Sequence, residues 1–119
     1  MYIDSRLRAA TLALAMAGVG TSPAMAQSFD CAKASAADEV AVCRSGRLCA
    51  LDDEMASLYE DVLAHALMGV SGETRDGQRE FLEKRAACGA DDPCLTALYE
   101  ARIAELKKTR EALGDSPAH

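Results

Sequence analysis

The sequence predicts an all-α fold: a small helical bundle or hairpin array of three main helices, preceded by a short N-terminal helix and stapled by two disulfides. Three observations lead there. Apolar residues recur at steps of three and four along long stretches, the mark of amphipathic helices. Aromatic residues make up 4% of the 119-residue chain and Trp is absent, which argues against a β-sandwich. Five cysteines sit in a chain too short to bury a large core, so cross-links add materially to its stability.

Residues 1–26 read as a secretory signal. Arg6 and Arg8 form a positive n-region, Ala9 to Gly20 a short apolar h-region, and Ala24-Met25-Ala26 a small-residue cleavage site, with the cut expected between Ala26 and Gln27. The apolar stretch is shorter than the roughly 20 residues that span a bilayer, so no membrane span is expected. Cys31 follows Ser-Phe-Asp rather than a small-residue site, so a lipoprotein anchor is not expected either. The product is expected in the periplasm or medium, with a helical domain over 27–113 and a fraying tail over 114–119. Loss of residues 1–26, with their two Arg and one Asp, moves the net charge from −6 to about −7.

Ser35-Ala36-Ala37-Asp38 resembles a capping box and predicts a short helix through Val40 and Val42 to Cys43, broken by Arg44-Ser45-Gly46. Leu48, Leu51, Met55, Leu58 and Val62 mark the best amphipathic helix, over about 48–68. Asp52, Asp53 and Glu54 fall in its first turns, where the helix dipole favours acids, and Gly69-Val70-Ser71-Gly72 is expected to end it. A third helix over about 73–87 is weakened by Gly77, at about 1 kcal/mol relative to Ala. Its expected inward set is Phe81 and Leu82 with Arg85 or Ala86. The segment from Cys88 to Cys94 is a turn in which Asp91 or Asp92 caps the next helix and Pro93 occupies its start. Leu95, Leu98, Tyr99, Ile103 and Leu106 define the fourth helix towards Leu113, with Lys107, Lys108 and Arg110 near its C-terminal end. A short echo, Leu58-Tyr59-Glu60 against Leu98-Tyr99-Glu100, reads as two helices each directing a Leu-Tyr pair into one core.

The acidic balance excludes a nucleic-acid partner, which needs a positive footprint. No cysteine spacing is Cys-x-x-Cys, and the histidines are His65 in mid-helix and His119 in the tail, so neither a metal nor another cofactor is expected. A catalytic nucleophile needs an activating base. His65 is the sole candidate, and beside Asp61 it reads as a solvated i,i+4 neighbour, so no catalytic residue is assigned. Five cysteines allow 5 × 3 = 15 arrangements of two bridges and one leftover thiol, and spacing does not choose among them; one local arrangement joins Cys31 to Cys43 and Cys88 to Cys94 and leaves Cys49 over. Spacing equally allows Cys43 to pair with Cys49 and leave Cys31 over.

The motifs Phe29-Asp30-Cys31, Cys43, Leu48-x-x-Leu51-Asp52-x-x-Met55-x-x-x-Tyr59, Gln78-Arg79-x-Phe81-Leu82-x-x-Arg85-x-x-Cys88, Cys94-Leu95-x-x-x-Tyr99 and Arg102-Ile103-x-x-Leu106 occur in that order. In this order and spacing the chain resembles the lysozyme inhibitor LprI N-terminal-like domain family of small exported bacterial proteins, over about residues 29–106. Phe81 stands where that family usually shows Trp, and Cys49 is additional to its four cysteines. The resemblance implies bridges Cys31–Cys43 and Cys88–Cys94, with Cys49 outside them. It also implies structural roles for Asp52, Tyr59, Phe81, Arg85, Tyr99 and Arg102, with a charge-assisted Asp/Arg pair across the bundle. The implied function is a binding module that inhibits lysozyme-type cell-wall hydrolases. An acidic domain is steered electrostatically towards a cationic protein such as lysozyme. The alternative is a structural or adaptor protein of the cell envelope with no hydrolase target.

Overall fold

The computed structural model describes residues 28–114. The expected signal over 1–26, its cleavage point and the tail beyond Gly114 lie outside the described residues. A 3-10 turn at Cys31–Lys33 leads into α1 (Ala37–Arg44), α2 (Gly46–His65), α3 (Met68–Cys88) and α4 (Asp92–Leu113). There is no strand among the described residues.

Local chemistry sets most of the helix ends. Asp30 accepts from the Ala32 amide and closes the 3-10 turn. Ser45 ends α1 and, through an Oγ that accepts from the Leu48 amide, starts α2 at once, so the predicted three-residue break is a single residue. Asp91 caps α4 by accepting from the Cys94 amide, with Pro93 in the first turn, where its missing N–H is no loss. Gly89 (φ 57°) and Gly114 (φ 67°) terminate α3 and α4 in a left-handed region that side-chain-bearing residues avoid.

Three expectations need correction. The Ser35 capping box is displaced by one residue: Ala36 is the N-cap, Glu39 accepts from its amide, and Asp38 turns inward. The glycines at 69 and 72 do not end α2. The chain reverses in the extended pair Ala66-Leu67, and both glycines lie inside α3. Burial of Ala66 anchors the turn without any need for glycine backbone freedom. The inward face of α3 is Thr74, Gln78, Phe81 and Arg85, a run of three- and four-residue steps, which leaves Leu82 38% exposed and Ala86 outside.

Helices α2 and α4 run parallel. Arg47 meets Asp92 near their starts, and Arg110 Nε bonds Asp61 at 2.7 Å near their ends. The intervening α3 returns antiparallel, and α4 packs chiefly along α2. Val42, Leu48, Met55, Val62, Phe81, Leu95, Tyr99, Ile103 and Leu106 form one core. Each such large side chain contributes about 1.5–3 kcal/mol relative to an exposed position.

Both disulfides lie at one end of this bundle. Cys31–Cys43 (Cα–Cα 5.8 Å) ties the 3-10 turn to the end of α1, and Cys88–Cys94 (Cα–Cα 5.7 Å) joins the end of α3 to the start of α4. Loop entropy gives each closure about 2–3 kcal/mol. The other end, where α2 turns into α3 and α4 finishes, carries no cross-link among the described residues.

Candidate functional site

Four helices and the N-terminal segment converge on a buried polar cluster near the stapled end. Arg85 Nε donates to Asp38 Oδ2 at 2.7 Å, and its Nη1 lies 3.3 Å from Ser28 Oγ and 3.9 Å from Asp52 Oδ1. Asp52, fully buried, accepts from the Ser28 amide, the Ser28 hydroxyl and the Tyr99 hydroxyl, each at 2.8 Å. The Phe29 ring covers the Arg85 guanidinium at 4.8 Å, and Phe81 meets Tyr99 edge-on with centroids 5.1 Å apart.

Asp52, Phe81, Arg85 and Tyr99 therefore come together, but the short ion pair of Arg85 is with Asp38, not Asp52. Burial lowers the Arg85 pKa, and the Asp38 hydrogen bond with its neighbours more than offsets this, so the guanidinium stays charged. Burial, and then the Asp52 carboxylate, push the Tyr99 hydroxyl well above its ordinary 10.0, keeping it a neutral donor. A buried charge left without its partner is expensive, so these groups hold one another in place.

Arg102 forms a separate site between α3 and α4. Its Nε donates to Gln78 Oε1 (3.1 Å), Nη2 to the Thr74 carbonyl (2.9 Å) and Nη1 to Glu105 (3.2 Å). Gln78 in turn reaches Met55 Sδ at 3.2 Å. A Cβ at Gly77 would lie 2.7 Å from Arg102 Nη1, so the guanidinium occupies the space that this glycine leaves. An open groove of about 420 Å³ runs alongside, with Phe81, Leu98 and Leu106 in its lining and charges of both signs, Glu73, Glu80, Lys84 and Lys108, around it. Tyr59 joins neither cluster and lies half-buried against the core, so the Leu-Tyr echo does not place its two tyrosines alike.

At the uncrosslinked end, His65 is held between Asp61 and Arg110. Its Nδ1 lies 2.8 Å from the Asp61 carbonyl and its Nε2 lies 3.2 Å from Arg110 Nη2. The Nε2 contact ties α2 to α4, while the Nδ1 contact stays within α2. Beyond it the α2–α3 turn exposes Leu67 (67%) and Met68 (90%), the most exposed large apolar side chains described. Cys49 stands outside both disulfides on α2. Among the described residues no group of three or more His, Cys, Asp or Glu is placed to hold a metal, and no helix is long and apolar enough to cross a membrane.

Sequence reasoning missed Ser28, Asp38, Thr74 and Gln78. Thr74 and Gln78 left a periodic signal, since they precede Phe81 by seven and three residues on the inward face of α3.

Among curated proteins, the chain matches lipoprotein LprI of Mycobacterium tuberculosis, in strains CDC 1551 / Oshkosh and H37Rv, and of Mycobacterium bovis. Each is 31% identical over 100 residues, covering 82% of this chain and 49% of the relative. Over this stretch the chain is similar to LprI. This LprI-like chain spans about half the length of the curated relatives it matches. No family model matches, and no solved structure gives a significant match. The relatives carry the name lipoprotein, whereas the LprI-like chain places Ser-Phe-Asp directly before Cys31.

Proposed function

We propose that this LprI-like chain is an exported, non-catalytic binding module that inhibits lysozyme-type cell-wall hydrolases. The observation that carries the reading is the distribution of charge. Four charged side chains are buried, Asp38 and Asp52 against Arg85 and Arg102, and they cancel. Residues 28–114 carry 11 Lys and Arg and 17 Asp and Glu, so their net −6 lies outside this buried set, where it steers association with a cationic protein. Apart from Asp53 Oδ1, which is buried without a hydrogen-bond partner, the interior polar side chains among the described residues serve one another, which leaves the surface for binding. Kinship to LprI supports the inhibitor class, and two disulfides suit an oxidising compartment outside the cytoplasm.

Calorimetric titration of the protein into egg-white lysozyme, at low and at physiological salt, tests this. Micromolar or tighter binding that weakens as salt rises is the expected result. Absence of binding at both salt concentrations contradicts it, and recovery of a non-hydrolase envelope partner from extract then favours the adaptor reading.

A further inference from the structure

We propose that the α2–α3 turn, residues 66–72, is the docking element of this domain, and that it seats Leu67 and Met68 in the saccharide-binding cleft of a cationic hydrolase. The inference rests on the inhibitor reading above and names the part of the chain that makes contact.

Leu67 and Met68 are adjacent, 67% and 90% exposed, and sit on a narrow turn anchored from behind by buried Ala66. A projecting pair of flexible apolar side chains suits insertion into a cleft. The Met thioether packs well on the aromatic surfaces against which sugars stack.

A pair of glycines follows the two apolar residues. Gly69 and Gly72 lie within α3, neither has a positive φ, and a Cβ at either would meet nothing within 4 Å. The fold has no use for them, in contrast to Gly77 under Arg102. Each weakens the helix by up to about 1 kcal/mol relative to Ala. Bare backbone beside two apolar anchors is what a close-fitting wall of a partner requires.

Around the turn Glu60, Asp61 and Glu73 face two cations, Arg75, which reaches Ser71 Oγ at 3.0 Å, and Arg110, which is taken up by Asp61, so the acids still outnumber the bases. Glu60 and Glu73 are exposed, and neither has an ion-pair partner among the described residues. An apolar tip flanked by unpaired carboxylates complements an apolar-floored cleft with cationic rims. Both disulfides sit at the opposite end, where they stiffen the body that presents the tip and lower the ordering cost of binding.

The test is titration of egg-white lysozyme with the wild-type protein and with Met68→Asp, Leu67→Asp, Gly69→Gln/Gly72→Gln and, away from the tip, Leu82→Asp. Tip variants are expected to bind about 30-fold more weakly or worse, the loss typical of a central anchor, while Leu82→Asp binds as wild type. The double glycine variant is expected to melt at or above the wild-type temperature while binding more weakly, so its loss is not a folding defect. Wild-type binding that every tip variant retains overturns the docking element and leaves the inhibitor reading standing. Failure of the wild-type protein to bind overturns both.

Discussion

Gly77→Ala is expected to destabilise this protein, although the same change in an open helix stabilises. In an unobstructed helix interior, Ala gains up to about 1 kcal/mol over Gly. At position 77 the new Cβ lies 2.7 Å from Arg102 Nη1 and 3.4 Å from Cζ and Nη2, so the guanidinium must move. It cannot move without loosening its bonds to Gln78 Oε1 at 3.1 Å and to the Thr74 carbonyl at 2.9 Å, both buried. A hydrogen bond from a charged donor is worth about 1.5–3 kcal/mol, so losing one against the propensity gain leaves a net loss of about 0.5–2 kcal/mol. For a domain of this length that lowers the melting temperature by roughly 4–8 °C per kcal/mol. Gly72→Ala, which meets nothing within 4 Å, serves as the paired control and is expected to raise it. Thermal denaturation followed by circular dichroism at 222 nm reads both. If Gly77→Ala melts as high as Gly72→Ala, the Arg102 packing described above is wrong.

Other perturbations address the polar cluster and the staples. Arg85→Met strands the buried Asp38 carboxylate and leaves Asp52 with neutral donors alone, and is expected to cost about 3–5 kcal/mol by urea unfolding, with partial recovery when Asp38→Leu is added. Tyr99 has a raised pKa in the fold, so its contribution is complete below the ordinary value of 10.0 and falls away as pH rises past it, because the unfolded chain ionises first. Tyr99→Phe is expected to flatten the alkaline side of the stability–pH curve, and an unchanged slope contradicts that assignment. Cys88→Ser/Cys94→Ser opens a six-residue separation and is expected to lose about 2 kcal/mol, measured as a lower urea midpoint.

What the sequence makes legible is what local spacing encodes. Leu48, Met55 and Val62 mark α2, and Leu95, Tyr99, Ile103 and Leu106 mark α4, because a helix repeats its buried face within a few residues. Asp91 as a cap and Pro93 behind it are equally local. The α2–α3 junction misleads because glycine ordinarily signals a stop. Here the stop is two extended residues held by burial of Ala66, a tertiary cause invisible to local reading. Asp38 misleads in the same way. Three residues after a Ser it looks like capping chemistry, yet its partner Arg85 is 47 positions away and reaches it only once α3 has folded back. Gly77 reads as a weakness until Arg102, on another helix, is seen to occupy its side-chain space. The candidate docking turn is the least legible part. Exposure of Leu67 and Met68 is a property of the packed bundle, and their residue types alone suggest core.

The most direct test of the account is the lysis of peptidoglycan-walled cells by egg-white lysozyme, followed as turbidity, with the protein present at micromolar concentration. Slowed lysis at low salt, relieved as salt rises, is the predicted result. Lysis at the uninhibited rate under both conditions would contradict the inhibitor function.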